Sequence, residues 1–326
     1  MNILFIIGNG FDINLGLQTS YKHFYKYYTS LRSEKDLIKI LKKNIDSDFE
    51  NWSDLELALG SYTDNFNTVN DFIEVYEDIG DNLAEYLISE EKKFPFNKID
   101  KEKLFNYLSY PELSLLKADS NRVRNFKNTW PSEHWHVRIM SLNYTRSIEN
   151  IFNNEYRKLI IGNHHNHSII LENIEHIHGF TDERMIMGVN DKSQIKNQSF
   201  HNSLDLLEAL VKPYCNKAYK HTIDDVCVGH VQEAQLICVF GSSIGDTDNY
   251  WWQLIGEQLR KGCQLVIFTK GEEISRRWGY KKAQKEREMK DYFLNKTDLT
   301  DDEKLKFQNN IYVGVNTELF SGMLLP

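Results

Sequence analysis

Five apolar runs along the chain each end in residues that can hold or activate a ligand. Ile3–Ile7 is followed by "GNGFDI", Val137–Leu142 by "NYTRSIEN", Ile174–Ile177 by "HGF", Met185–Met187 by "GVND" and Leu236–Phe240 by "GSSIGDTDN". If these runs are parallel strands, ligands bind beyond their carboxyl ends. The pattern therefore predicts one pocket that is lined by consecutive strand ends.

Two of these ends supply groups for acid–base chemistry. His178 carries an imidazole, the side chain that most often serves as a general base, and can act as one here. Asn143 carries an amide donor and acceptor that can hold a hydroxyl group or a water molecule. The structural alternatives are a buried histidine at 178 and a strand-end cap at 143. A catalytic role is favoured for His178 because it directly follows an apolar run and precedes Gly179.

The loop after the first run has the composition of a close-approach turn. Gly8 and Gly10 allow the backbone to come near a ligand, and a helix that starts there offers free N–H groups to a phosphate. The G-x-G-x-x-G fingerprint requires a third glycine where Ile13 stands, so a standard dehydrogenase site is not expected. A tight strand-to-helix turn explains this loop as well as a nucleotide site does.

Two pairs of carboxylates have both a chemical and a structural interpretation. Asp54 and Glu56 can form an acid–base pair, but Ser53-x-x-Glu56 also matches a capping box, and we expect the cap. Asp246 and Asp248 can contact ribose hydroxyls, or they can cap the helix that follows them.

No metal site is predicted. One histidine group lies in what is expected to be an exposed loop, "GNHHNHS", and a mixed cysteine–histidine group lacks a recognised spacing. The basic stretch 276–290 is expected to be a solvated helix face. The two groups are His164, His165, His167 and His176, and Cys215, His221, Cys227 and His230.

The elements that must position these residues are expected to form an α/β fold. Two further β-type runs, Leu265–Thr269 and Ile311–Val315, follow the five above, and helical patterns separate several of the runs. Alternating strands and helices are typical of a parallel sheet with helices on both faces. We predict a single Rossmann-type domain over 1–326, with a mostly helical insertion over 20–128.

Charge is concentrated in that insertion. The chain as a whole has a net charge of −8. Between Asp46 and Glu91 there are 14 acidic residues and no lysine or arginine. Apolar residues at three- and four-residue steps predict a helix from Val69 to Leu87 with one buried face. The acids are interpreted as its solvated face, and the insertion is expected to cover the pocket or to mediate assembly.

Composition limits the class of protein. The negative charge disfavours a nucleic-acid binder, and no apolar run approaches the roughly 20 residues that span a bilayer. The first run is too short for a signal peptide, and the four cysteines form no Cys-x-x-Cys pair. We therefore expect a cytoplasmic protein with reduced thiols.

The motifs together resemble a known family. "IIGNGFDINLGLQTSYKHF", "NWSDLELAL", "SLNYTRSIEN", "HIHGF", "IMGVND" and "VFGSSIGDTD" occur in this order, and the chain from Met1 to about Phe320 resembles the AbiH family of bacteriophage abortive-infection proteins. That family is similar to sirtuin-like NAD-binding domains.

The resemblance implies a set of roles for particular residues. His178 and Asn143 become the catalytic residues, and NAD or a related nucleotide becomes the ligand. The residues implied to bind it are Gly8, Asn9, Gly10, Phe11, Asp12, Tyr144, Gly241, Ser242, Ser243 and Asp246.

Two departures narrow the implied chemistry. Thr145 stands where sirtuins have an aspartate, and no Cys-x-x-Cys zinc module is present. These differences argue against protein deacylation and leave NAD hydrolysis at the nicotinamide–ribose bond, in phage defence, as the expected function. The alternatives are a non-catalytic nucleotide sensor and a metal-dependent nuclease that uses Asp54 and Glu56. The expected partners are the nucleotide and either a second copy of the chain or another defence protein.

Overall fold

A seven-stranded, mostly parallel sheet forms the centre of the computed structural model, which describes residues 1–275 and 277–325. In space the strands are arranged β3-β4-β2-β1-β5-β6-β7. The strands of the described residues are β1 (Asn2–Ile7), β2 (Trp135–Ser141), β3 (Leu159–His164), β4 (His167–His176), β5 (Leu236–Phe240), β6 (Gln264–Thr269) and β7 (Ile311–Val315).

The predicted α/β class is confirmed, and five of the predicted runs form strands with bounds within two residues. The sheet is parallel except for the antiparallel pair β3 and β4. The prediction of a strand at Met185–Met187 is wrong, because this segment is irregular. The fourth strand starts at His167, well before the predicted Ile174.

The expectation that "GNHHNHS" is an exposed loop is correct only for its centre, His165 and Asn166. It forms the tight turn between β3 and β4, in which His165 and Asn166 adopt positive φ angles of 43° and 68°. His164 lies within β3, is buried, and stacks on Trp135 with ring centroids 3.6 Å apart. The segment is therefore a structural hairpin at the edge of the sheet.

Helices cover both faces of the sheet. Side chains alternate along β1, so Ile3 and Phe5 pack into one hydrophobic cluster and Leu4 and Ile6 pack into another. Because both faces are buried, the strand is apolar from Ile3 to Ile7, as expected for a parallel sheet.

The described residues contain fourteen α-helices. They are α1 (Gly10–Leu15), α2 (Tyr21–Ser30), α3 (Asp36–Ser47), α4 (Leu55–Tyr62), α5 (Val69–Lys93), α6 (Lys101–Ser109), α7 (Lys117–Lys127), α8 (Ser147–Ile151), α9 (Leu204–Leu210), α10 (Lys212–Ala218), α11 (Ile223–Glu233), α12 (Asn249–Arg260), α13 (Gly279–Leu294) and α14 (Asp301–Phe307). The predicted basic helix corresponds to α13, and position 276 lies outside the described residues.

The segment between Ser20 and Asn128 is mostly helical. Helix α5 begins after Thr68, whose side chain accepts a hydrogen bond from Asp71 N, and it buries the apolar face that includes Phe72, Ile79 and Leu83. Helices α2 to α5 build a hydrophobic cluster with α9, whereas α6 and α7 pack on the sheet.

The acidic face of α5 is only partly solvated. Glu74 pairs with Lys35 at 2.9 Å, and Asp78 accepts a hydrogen bond from the Tyr28 hydroxyl at 2.7 Å. No helix among the described residues combines the length and apolar character needed to cross a membrane.

Candidate functional site

The loops after β1 and β5 meet at the point where the chain changes direction in the sheet. From β1 the chain moves outward to β2, and it later returns to the other side of β1 as β5. Gly8 N donates to Phe240 O at 2.9 Å, and Gly10 N donates to Gly241 O at 2.8 Å. A crevice at such a switch point is where open α/β sheets bind ligands.

The glycines in these loops are required by the contact between the loops themselves. A Cβ atom on Gly10 would lie 2.5 Å from Cα of Gly241, and one on Gly8 would lie 2.7 Å from Gly241 O. Gly241 has a φ of +71°, which L-residues rarely adopt. Close backbone packing thus explains all three glycines without a ligand, although both loops line the crevice.

A cavity of about 610 Å³, here called the main cavity, lies beyond this edge of the sheet. Its walls come from the loops after β1, β4 and β5, from the strand ends of β6, and from the helical segment that contains α2 and α4. The residues implied to bind a nucleotide that line it are Gly8, Asn9, Gly10, Tyr144, Gly241, Ser242 and Ser243. The helical insertion therefore forms part of the cavity wall through residues such as Tyr21 and Asp54.

His178 lies two residues beyond β4 and lines the main cavity. The residue is 3% exposed, and its Nε2 lies 2.9 Å from Oδ1 of Asp248. Asp248 thus fixes the ring orientation and leaves Nδ1 as the nitrogen that can act on a bound molecule. A histidine held by a carboxylate is a common arrangement for a general base.

Lys212 connects this pair to a second carboxylate. Its Nζ lies 2.7 Å from Asp248 Oδ1, 2.7 Å from Glu56 Oε2 and 2.9 Å from Thr247 O. The backbone of Lys212 is held by a hydrogen bond to Val189 O at 3.0 Å.

The charges within this group stabilise one another. Burial lowers the pKa of Lys212, but Asp248 and Glu56 outweigh that effect and raise it above the usual range. Burial likewise raises the pKa of Asp248, but Lys212 and His178 reverse the effect and hold it well below the usual range. Lys212 therefore stays charged, and Asp248 stays a carboxylate.

The expected capping box at Ser53 and Glu56 is wrong. The N-cap of α4 is Asp54, whose Oδ1 accepts a hydrogen bond from Leu57 N at 3.1 Å. Glu56 instead faces Lys212, and its Oε1 lies 2.7 Å from the Tyr144 hydroxyl. The buried lysine attracts Glu56 away from the helix end, so this carboxylate becomes part of the main cavity.

Asn143 lies on the same sheet edge as His178 but does not line the main cavity. It is 6% exposed, and within the described residues its Oδ1 has no protein hydrogen-bond partner. Its backbone carbonyl accepts a hydrogen bond from Nδ1 of His176 at 2.8 Å.

Phe11 and Asp12 are fully buried beneath the first loop and likewise lie outside the cavity lining. Oδ2 of Asp12 accepts a hydrogen bond from the Thr145 hydroxyl at 2.5 Å. Burial raises the pKa of Asp12 to about 6, despite this hydrogen bond. Thr145 thus binds the buried carboxylate of Asp12.

The two carboxylates after β5 differ in their surroundings. Asp246 pairs with Lys296, has a side chain that is 56% exposed, and does not line the main cavity. Asp248 occupies the N-cap position of α12, but its carboxylate is directed toward His178 and Lys212.

The histidines and cysteines that were considered as metal ligands are dispersed. His176 lies between Asn143 O and Glu149 Oε1, whereas His164 stacks on Trp135. All four cysteines are free and buried. Across residues 1–275 and 277–325, no group of three or more His, Cys, Asp or Glu side chains is arranged to hold a metal ion.

Sequence reasoning missed three lysines of the site. Lys212 carries no local signal, because its partner Glu56 is 156 residues away in sequence. Lys22 and Lys270 are exposed residues that line the main cavity, and they supply positive charge beside the glycine loops. Lys270 directly follows β6, so the rule of strand ends that identified His178 also applies to it.

A comparison with protein families matches most of the chain. The family described as bacteriophage abortive infection AbiH matches residues 4–269, which is more than four fifths of the chain. The match includes the glycine loops, Glu56, His178, Lys212 and Asp248, and it ends at β6 rather than near Phe320. A comparison with curated proteins gave no match. The chain therefore belongs to the AbiH family of bacteriophage abortive-infection proteins.

Proposed function

We propose that this phage-defence protein hydrolyses NAD at the nicotinamide–ribose bond and thereby depletes NAD in infected cells. The observation that supports the proposal most directly is the position of His178. This histidine is held by Asp248 and faces a cavity that the two glycine loops line at the switch point of the sheet. Such a crevice is the usual nucleotide site of this fold class.

The main cavity has suitable size and charge for a dinucleotide. A volume of about 610 Å³ lies within the range of small-molecule and cofactor sites, which is roughly 300–1,000 Å³. Gly8, Asn9 and Gly10 line the cavity together with Ser242 and Ser243, two residues with hydroxyl groups. Lys22 and Lys270 provide cations for a diphosphate.

The chemistry requires the C1′–N bond to break and a water molecule to take its place. Nicotinamide leaves with the bonding electron pair, and positive charge develops on the ribose as in glycoside cleavage. Nδ1 of His178 accepts the proton of the attacking water, and Asp248 stabilises the imidazolium that results.

A metal-dependent nuclease is the less favoured function. Both oxygens of Glu56 already lie 2.7 Å from a partner, Oε1 from the Tyr144 hydroxyl and Oε2 from Lys212 Nζ. Asp54 is used to cap α4. These carboxylates would have to exchange their partners before they could hold a cation. A non-catalytic nucleotide sensor would use the same cavity and differs from the enzyme only in the absence of turnover.

The test is to incubate the purified protein separately with NAD, NADP and ATP and to analyse the products by mass. We expect ADP-ribose and nicotinamide in equal amounts from NAD, without added metal. Binding of NAD without product would favour the sensor. Cleavage of tRNA or DNA that a chelator abolishes would favour the nuclease.

A further inference from the structure

A second cavity adjoins the main cavity and shares three residues with it. It has a volume of about 260 Å³, and His178, Thr247 and Asp248 line both cavities. These three residues therefore form a common wall. The size of the second cavity suits a ligand of one ring, since typical sites for whole cofactors and drugs start at roughly 300 Å³.

The remaining lining combines aromatic surface, the carboxylate of Asp224 and Lys212, whose charge is balanced by Asp248 and Glu56. Trp251 is buried in the wall, Tyr250 is half exposed at its rim, and Ile177 adds apolar surface. Asp224 is half-buried in the same lining. An aromatic face beside a carboxylate is the combination that recognises organic cations.

Asp224 has capacity for a further donor. Its Oδ1 and Oδ2 lie 3.0 and 2.9 Å from Nδ2 of Asn216, which is a neutral donor. Among the residues that the structure describes, no lysine, arginine or histidine forms a direct ion pair with Asp224, although the charges of His178 and Arg184 lower its pKa. Arg184 donates a hydrogen bond to Oδ1 of Asn216 at 2.6 Å rather than to Asp224 itself. A carboxylate accepts about four hydrogen bonds, so at least two positions are open to a ligand.

The other polar groups of the wall already have protein partners. Asp248 binds Lys212 and His178, and Oδ1 of Asn190 accepts a hydrogen bond from Tyr250 N at 3.0 Å. Burial raises the pKa of Asp224, and the hydrogen bond from Asn216 and the charges of His178 and Arg184 only partly offset this cost of burying the carboxylate. A ligand that brings a positive charge relieves this cost.

We propose that the second cavity binds a small planar organic cation, such as an amidinium or guanidinium group on a single ring, with Asp224 as its counter-ion and Trp251 and Tyr250 as its aromatic contacts. The site shares a wall with the nucleotide site proposed above, but its occupancy does not depend on NAD turnover. Two N–H donors of such a group match the two carboxylate oxygens.

The test measures binding of benzamidine to the full chain by calorimetry, with neutral benzamide as the matched probe. We expect benzamidine to bind and benzamide to bind at least about tenfold more weakly, because only the cation pairs with Asp224. Asp224→Asn should abolish the difference between the two probes, and Tyr250→Ala should weaken benzamidine binding. Asp225→Asn, which changes the exposed neighbour of Asp224 on α11, should leave binding unchanged.

A second control locates the bound cation. Asp54→Asn changes a carboxylate of the main cavity while retaining a good helix cap, and it should not affect benzamidine binding. Absence of benzamidine binding to the wild type, or binding that Asp54→Asn abolishes and Asp224→Asn does not, would overturn the proposal. If Asp224→Asn fails to fold, the affinity of Tyr250→Ala for benzamidine becomes the deciding measurement. This variant should fold, because half-exposed Tyr250 is not part of the core. Failure of NAD hydrolysis leaves these binding results unaffected.

Discussion

Nε2 of His178 lies 2.9 Å from Oδ1 of Asp248, although the two residues follow different strands, β4 and β5. The same oxygen of Asp248 accepts a hydrogen bond from Lys212 at 2.7 Å. Lys212 in turn holds Glu56, so one buried cation connects both carboxylates to the histidine. The stability of the site and its proposed chemistry therefore depend on the same group of side chains.

Removal of the cation from this group should destabilise the fold. Lys212→Met leaves two buried carboxylates without their counter-ion, and we expect the free energy of unfolding to fall by about 3–5 kcal/mol. The double variant Lys212→Met/Glu56→Gln should recover part of the loss, because one uncompensated charge is gone. Urea unfolding measures both. Lys39→Met, which breaks an exposed pair with Asp36, should change stability by less than about 1 kcal/mol. Equal losses for Lys212→Met and Lys39→Met would contradict this account.

The contact between the two glycine loops gives a paired prediction. Gly10→Ala places a Cβ atom 2.5 Å from the backbone of Gly241, which cannot move without disturbing β5, and it should destabilise the protein by about 1–3 kcal/mol. Gly229 lies inside α11 with nothing within 4 Å of its Cβ position, so Gly229→Ala should stabilise by about 0.5–1 kcal/mol. Thermal unfolding compares the two. A neutral effect of Gly10→Ala would show that the loops separate easily in solution.

The buried Asp12 gives a prediction for pH. Its pKa is 3.8 in the unfolded chain and about 6 in the folded protein, so the folded state binds the proton more tightly. The contribution of Asp12 to the free energy of unfolding is therefore fully present below pH 4, and it is lost as the pH rises toward 6. Between these two pKa values, the wild type loses about 1.4 kcal/mol of its free energy of unfolding for each pH unit. From pH 4 to pH 7, the free energy of unfolding of Asp12→Asn should therefore rise by about 3 kcal/mol relative to that of the wild type.

This difference is measured by urea unfolding of both proteins across that pH range. Exposed Asp36→Asn serves as the control and should show a nearly constant difference from the wild type. If the difference in the free energy of unfolding between Asp12→Asn and the wild type shrinks as the pH rises, its pH dependence is opposite to the expected one. That result would contradict burial as the cause of the raised pKa.

The lysines at the main cavity should affect nucleotide binding more than turnover. Lys22→Ala and Lys270→Ala each remove a cation that lines the cavity, and we expect the KM for NAD to rise about five- to tenfold with little change in kcat. Lys26 is also exposed on α2 but does not line the cavity, so Lys26→Ala is the matched control. Steady-state kinetics separate the two constants. A fall in kcat at unchanged KM would place these lysines nearer to the reacting atoms than the proposal does.

Strands buried on both faces were predictable because their residues are apolar without interruption. The edge strand β3 was not, since it mixes buried Ile161 with exposed Ile160 and therefore lacks a continuous apolar run. The run Met185–Met187 was mistaken for a strand because a three-residue apolar segment packs equally well as irregular backbone, here against α5 near Gly80.

The candidate site was predictable where it depends on strand ends, as for His178, Ser242 and Ser243. It was not predictable where side chains meet through tertiary contact. The motif Ser53-x-x-Glu56 matches a capping box locally, but Lys212, which is distant in sequence, provides Glu56 with a stronger partner. Asn143 follows a strand as predicted, yet its side chain is buried, and its proposed role in catalysis stays a prediction.

The most direct test of the central claim is the rate of NAD loss catalysed by the purified wild type, by His178→Ala and by His165→Asn. His165 lies in the exposed turn between β3 and β4, and asparagine tolerates its positive φ, so this variant controls for the loss of a histidine. We expect the wild type and His165→Asn to hydrolyse NAD at equal rates, and His178→Ala to be slower by at least about 100-fold, the scale of a lost general base. Intact NAD in the presence of folded wild-type protein, or full activity of His178→Ala, would contradict the account.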